Sequence, residues 1–179
     1  MIAETLRLAG DGIQLRPFVT EDAPRVAELA DNWNIASMLS RMPHPYAKED
    51  AVNWISGQRD RRTDGGDWPF AIETQDGLVG AAGVSPDDEG RMEIGYWIGE
   101  PYWGRGIASE AARTVSAFAF DILGLQKLTA GYFRENPASG RVLTKVGFHT
   151  IGEAKRFCLA RGEAVDCVIV ELSAEEFGR

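Results

Sequence analysis

RMEIGYWIGEPYWGRGIASEAA, residues Arg91 to Ala112, is the stretch on which the reading of the whole chain turns. Met92 to Ile98 is short, apolar and aromatic, with one carboxylate, Glu93, set into it; such runs favour the pleat of a buried strand over a helix. Gly99-Glu100-Pro101 breaks the ladder. Trp103-Gly104-Arg105-Gly106-Ile107-Ala108 then leads into Ser109, Glu110, Ala111 and Ala112, which are good helix formers. A strand, a glycine-rich turn and a helix start together make a phosphate cradle. Glycine lets the backbone approach closely, and the helix N-terminus offers unpaired N–H groups at the positive end of its dipole.

Two phosphate motifs are excluded. The nucleotide loop GxxxxGK[ST] occurs nowhere in the chain. The dinucleotide pattern GxGxxG finds Gly104 and Gly106 but has Ser109 in the third glycine position, and no βαβ repeat follows. What remains resembles the pyrophosphate loop of the GNAT N-acetyltransferases, [RQ]-x-x-G-x-[GA], with Gly106 and Ala108 in the last two named positions. Trp103 stands where that family more often has Arg or Gln. The ribosomal-protein N-terminal (Rim-type) branch is similar in reading Y-W-G-[KR]-G-x-A. The resemblance implies acetyl-CoA as co-substrate, its pyrophosphate on the amides of roughly Arg105 to Ser109 (Gly104, Arg105, Gly106, Ile107, Ala108 and Ser109 in all). It also implies an α/β fold with a mixed, mostly antiparallel sheet, split at the cofactor site and flanked by helices.

Two further segments carry the same resemblance. LRPFVTEDA, from Leu15, resembles the opening strand and helix of GNAT domains. NPASGRVLTKVGF, Asn136 to Phe148, resembles the element N-x-x-S-x-x-[VL]-x-x-K-x-G-F that follows the cofactor strand. The likeness spans roughly Gly12 to Leu172, within one N-acetyltransferase domain over residues 1–179, core about 12–172.

Composition bounds the rest. The chain has 179 residues, 44% hydrophobic and 26% charged, which suits one core. No apolar run approaches the roughly 20 residues of a membrane span, and the opening MIAETLRLAGDG lacks the layout of a signal peptide. Cys158 and Cys167 are the two cysteines, too few for a disulfide framework, so a cytoplasmic protein is expected. Net charge is −8 and pI about 4.8, which argues against a nucleic-acid partner. No metal and no membrane partner is expected, and a monomer or homodimer fits equally.

Periodicity supplies the remaining elements. Ile13 to Arg16 alternates as a strand stopped by Pro17, and Thr20 is placed to cap a helix with Val26, Leu29 and Ala30 on its apolar face. Lys48 to about Arg61 reads as a second helix, and Gly65-Gly66-Asp67 as a turn. Phe70–Ile72 and Leu78–Val84 form a hairpin through Asp76-Gly77. The helix opened by the glycine loop keeps an apolar face through Ile122 and stops at Gly124. Gln126 to Phe133 is a strand. A terminal hairpin turns at Arg161-Gly162, and counting back pairs Cys158 with Val165 and Arg156 with Cys167.

Chemistry is read from a few side chains. Acyl transfer from a thioester to an amine needs a deprotonated amine, a polarised carbonyl and a proton for the departing thiolate. Glu93 lies where some GNAT enzymes carry a general base. Among Ile94, Tyr96 and Trp97 its pKa is expected to rise by desolvation; otherwise it is an outer-face glutamate or a partner for Arg91. The tyrosine acid of many relatives falls on Leu143, which cannot donate a proton. Ser139 is the donor suggested by the Rim-type branch, or a first-turn hydroxyl bonding backbone. Asn136 matches the asparagine that meets the pantetheine arm, or caps its helix. Lys145, with Arg105 and Arg141, is a phosphate candidate by charge, and Trp97 and Ile98 offer main-chain groups to pantetheine if their strand splays from its neighbour.

The loop and helix RMPHPYAKEDAVNWI, Arg41 to Ile55, resemble the acceptor wall of the Rim-type branch, with Trp33, Tyr46 and Trp54 as its aromatic contacts. His44, alone in a proline-rich loop, reads as a turn residue. Neither cysteine has a sequence neighbour that would lower its pKa, so direct transfer in a ternary complex is expected over an acyl-cysteine. The activity implied is N-acetylation of a primary amine, best a protein or peptide N-terminus. A small-molecule amine is the alternative acceptor, and a non-catalytic CoA-binding module the alternative class.

Overall fold

In the computed structural model, which describes residues 6–58, 61 and 66–178, eight strands form one sheet in the order β1-β2-β3-β4-β5-β6-β8-β7. β1 (Leu8–Gly10) and β2 (Ile13–Arg16) lead into a single helical turn, Thr20–Asp22, and α1 (Ala23–Ala30). A one-turn α2 (Trp33–Ala36) and α3 (Lys48–Ser56) follow, then β3 (Trp68–Thr74), β4 (Gly77–Pro86) and β5 (Met92–Ile98). α4 (Ile107–Ala117), β6 (Lys127–Phe133), α5 (Pro137–Val146), β7 (His149–Cys158) and β8 (Glu163–Ser173) complete the chain.

All pairings are antiparallel except β5 with β6, which run parallel and share the single register pair Glu93↔Thr129. Beyond that point the two strands part, and the sheet is open between Ile94–Ile98 and Ala130–Phe133. This is the expected split sheet.

The period of two sorts side chains into two cores. Phe70, Ile72, Ile94 and Leu128 pack with Ala111 and Val115 of α4 and Leu143 and Val146 of α5. On the other face Ala71 and Ala81 pack with Val26 and Leu29 of α1 and Ala51 and Ile55 of α3. A small third cluster, Phe133, Cys158, Val165, Cys167 and Ile169, lies at the far end of the sheet.

Several expectations need correction. β1 has only three residues, too few to show a period, and pairs with β2. Thr20 does not cap: the Asp22 carboxylate accepts from Val19 N at 2.9 Å and binds Arg16 at 2.7 and 2.9 Å, so the acid anchors the turn. α3 ends at Ser56, while the expected run to Arg61 includes residues 59 and 60, outside the described residues; the turn expected at Gly65 begins outside them too. After Ala117 the helix widens, with Leu123 N bonding Phe118 O at 3.1 Å, which swings Ile122 out to solvent. The terminal hairpin is two residues out of the expected register: Cys158 faces Glu163, Arg156 faces Val165 and Cys167 faces Ala154, because the turn takes in Leu159 and Ala160 before Arg161-Gly162 and so is centred one residue earlier.

Close backbone packing dictates one glycine in the sheet. A Cβ at Gly80 would lie 2.2 Å from Trp97 O, so β4 and β5 pair here only without a side chain. Gly80→Ala is expected to lower stability by about 2 kcal/mol, as overpacking does, read as a reduced urea midpoint with an unchanged m-value.

Candidate active site

Three elements meet at the parting of β5 and β6. The first is the loop from β5 to α4. After the turn Glu100–Tyr102, the Trp103 indole Nε1 donates to Ile98 O at 2.7 Å, tying the loop back to the end of its strand. A tryptophan in place of Arg or Gln thus has a structural task. Gly104 and Gly106 take φ +76° and +79°, and Gly106 is the N-cap of α4 with no side-chain cap bond. The first-turn amides of Ile107, Ala108 and Ser109 are therefore left for an external acceptor. An added Cβ at Gly106 would meet nothing within 4 Å, so the glycine is required by its left-handed backbone and by the space in front of the amides. That combination fits an anionic phosphate group.

The Arg105 guanidinium bonds Asp76 at 3.0 Å and Pro101 O at 3.3 Å beside the Tyr102 ring, and does not line the cleft. The free cations are on α5: Arg141 and Lys145 line the cleft, and neither side chain has an ion-pair partner among the described residues. Of the Trp97 and Ile98 main-chain groups expected to face pantetheine, the Ile98 carbonyl accepts one hydrogen bond from Trp103.

The second element is the start of α5. Asn136 Oδ1 accepts from Ser139 N at 3.3 Å and so caps the helix. Ser139 Oγ lies 2.9 Å from Tyr96 Oη, a contact across the two diverging elements. Burial pushes the Tyr96 phenol up to about 12, opposed by the Ser139 hydrogen bond, so Tyr96 stays protonated at neutral pH. Tyr96 had no motif to mark it; its place two residues before Ile98 on the inward face of β5 was the available signal.

The third element is the opposite face of the opening. Glu93 is not surrounded by apolar groups, and the expected desolvated carboxyl is replaced by an ion pair. Arg156 Nη1 and Nη2 bind its two oxygens at 2.7 and 2.6 Å. Arg91, the partner considered from sequence, instead pairs with Asp87 and Glu89. The hydrogen bonds that Arg156 donates to Glu93 hold its pKa above the ordinary value against the cost of burial. Arg156, too, carried no motif.

These elements line one open cleft of about 1790 Å³, beyond the roughly 300–1,000 Å³ of a single small-molecule pocket and roomy enough for two substrates side by side. Trp97, Gly104, Gly106, Ile107, Ala108, Ser109, Asn136, Ser139, Lys145 and Glu93 all lie on it, as do Tyr46 and Trp54 of the expected acceptor wall. Trp33 does not: it is exposed, packs edge-on against His44 at 5.5 Å and borders a separate shallow pocket with Met38 and Arg161. His44 sits beside Asp31, 3.4 Å from Nδ1 to Oδ1, away from the cleft. Both cysteines are buried and free, and burial pushes the Cys167 thiol up, which disfavours a nucleophilic thiolate.

Residues 13–149 match the family model described as the acetyltransferase (GNAT) domain. The chain belongs to the GNAT acetyltransferases. It is an acetyl-CoA-dependent N-acetyltransferase. Its relatives include the probable N-acetyltransferase YjcK of Bacillus subtilis (strain 168), 32% identical over 158 residues, 83% of this chain and 87% of that protein. The ribosomal protein uS5-alanine N-acetyltransferase of Escherichia coli (strain K12) is 27% identical over 103 residues, 56% of this chain and 53% of that protein. Among solved structures, Mycobacterium smegmatis RimJ in complex with CoA-disulfide superposes with TM-score 0.83 at 27% identity, covering 97% of this chain and 88% of that one. No helix among the described residues is long and apolar enough to cross a membrane.

Gly106→Val is expected to weaken acetyl-CoA binding at least about tenfold, or roughly 1.4 kcal/mol, with the fold retained by circular dichroism. Unchanged affinity in calorimetry would move the phosphate site elsewhere.

Proposed function

We propose that the enzyme acetylates the N-terminal α-amine of a protein or peptide, by direct transfer in a ternary complex. In this reading Glu93 takes the proton from the acceptor ammonium. The amine nitrogen bonds to the acetyl carbon and the carbon–sulfur bond breaks; the thiolate receives a proton from Ser139, which Tyr96 resupplies. As the amide forms, the nitrogen gives up its second proton to solvent, from which Tyr96 is reprotonated. Glu93 can act while bound to Arg156, because each carboxylate oxygen keeps a second lone pair. A protonated Tyr96 beside Ser139 is a suitable donor relay at neutral pH, where neither hydroxyl ionises alone.

The observation that carries the choice of acceptor is the state of the carboxylates on the cleft. Five are ion-paired within the chain, Asp67 to Arg61, Asp87 and Glu89 to Arg91, Glu93 to Arg156 and Glu153 to Arg134, while Asp50 accepts from the Ala47 amide and the exposed Asp88 lies 4.0 Å from Arg41. Asp31, also near the wall, accepts from Tyr46 N at 3.0 Å. A polyamine site wants several uncommitted carboxylates. What the wall offers is Met42, Tyr46, Trp54 and Trp97, apolar and aromatic surface of the kind that holds the first residues of a peptide. The relative that acts on the alanine of ribosomal protein uS5 supports the same acceptor class.

Peptides with a free, small N-terminal residue are expected to be acetylated faster than spermidine or free amino acids, followed by thiol release. Blocking the α-amine while leaving lysines free should abolish turnover; equal rates on α-blocked peptides would sink this reading, and a preference for spermidine would reassign the enzyme to small amines. Ser139→Ala should lower kcat about a hundredfold with acetyl-CoA affinity within a few-fold. A loss of affinity at unchanged kcat would make Ser139 a cofactor contact.

A further inference from the structure

Arg156 reaches Glu93 from the far side of the sheet. It stands on β7, and its side chain crosses β8 and β6 to reach β5 at the last residue the two parting strands share. The route exists because residue 131 is glycine: a Cβ there would lie 2.8 Å from Arg156 Nη1 and 3.0 Å from its Cζ. Gly131 has no turn to make and no positive φ; its missing side chain leaves room for the guanidinium and for the buried Cys167 Sγ, which a Cβ would meet at 3.0 Å. The two ends are about one-fifth exposed, 23% and 20%, at the wall of the cleft.

Stability is a poor reason for such a pair. A half-buried ion pair repays little beyond its own desolvation, and apolar replacements of like volume often do as well. Its geometry is a better one. Two parallel bonds fix the plane of the carboxylate, where an unpaired glutamate would sample several rotamers, and leave the outer lone pairs facing the cleft. A lysine could supply the charge but not the plane.

We propose that Arg156 is a positioning residue for acetyl transfer, holding the Glu93 carboxylate aimed at the acceptor ammonium, with Gly131 as the slot that admits it. This rests on Glu93 as the group that receives the acceptor's proton, and the experiment separates the two.

Arg156→Met, Arg156→Lys, Gly131→Ala, Glu93→Gln and the Glu93→Gln/Arg156→Met double variant would be compared on the amine that the wild-type enzyme acetylates best, with acetyl-CoA affinity measured by calorimetry. Arg156→Met should lower kcat/KM for the acceptor at least thirtyfold while acetyl-CoA Kd stays within twofold. Arg156→Lys should recover part of that loss. Gly131→Ala, which keeps the charge and displaces it, should lose at least fivefold and keeps the proposal testable if Arg156→Met fails to fold. The double variant should be no worse than Glu93→Gln alone, the mark of residues acting as a unit. Wild-type kcat/KM in Arg156→Met or Gly131→Ala beside an impaired Glu93→Gln would overturn the positioning role and leave Glu93 as the base. So would additive losses. An unimpaired Glu93→Gln would remove the base reading and this inference together.

Discussion

The site exists because β5 and β6 hold together at one residue pair and then let go. Parallel neighbours normally continue their ladder, and an opened ladder leaves main-chain groups without partners. Here the separation begins just after Glu93↔Thr129, and both strands are held from their outer sides. β4 keeps β5 straight along seven register pairs, from Pro86↔Met92 to Gly80↔Ile98, and β8 keeps β6 along another seven, from Lys127↔Ser173 to Phe133↔Cys167. The gap is thus a feature of two well-paired half-sheets, not a loosened edge. Its freed backbone can pair with an extended ligand, as in strand addition.

Once the gap is given, the two faces take different chemistry. α4 and α5 cover one face, so the glycine loop, Ser139 and Tyr96 gather there. α1, α3 and the loop between them cover the other, with Glu93, Arg156 and the aromatic wall. An anionic co-substrate must approach a chain of net charge −8. Phosphate attraction therefore has to be local: unpaired first-turn amides of α4 and the two uncommitted cations of α5, Arg141 and Lys145, face the same cleft. Arg105, the cation nearest the phosphate loop in sequence, is neutralised by Asp76.

Sequence reading succeeded where the signal was local. Strand alternation in β2 to β5, the hairpin at Asp76-Gly77, the glycine loop and the Asn-Pro helix start are each written in fewer than a dozen consecutive residues. The resemblance of three such segments to one family then supplied the sheet. What escaped was set by partners distant in sequence. Glu93 and Arg156 are 63 residues apart and Tyr96 and Ser139 are 43 apart; neither pairing leaves a periodic trace. Trp33 and Trp54 are both tryptophans beside the proposed wall. Only the latter lines the cleft, because the one-turn α2 swings Trp33 onto His44. The hairpin register failed because the turn is centred one residue before the Arg161-Gly162 pair.

The contact between Tyr96 and Ser139 bears on Leu143, the position where the family resemblance implied a tyrosine acid. Leu143 is buried against the core, so a phenol there would need a partner or a path out. Tyr96 provides a phenol from a different element, β5 instead of α5, and meets α5 at Ser139. Its hydroxyl is held at the mouth of the gap by a strand that is itself fixed by β4. Gly140, next along α5, lets the helix lie on the Tyr132 ring, where a Cβ would come within 2.7 Å of Cζ. The helix can therefore come close enough for the 2.9 Å contact between Ser139 and Tyr96. In the proposed reaction the proton donor therefore stands at the parting of β5 and β6, on two elements that meet there.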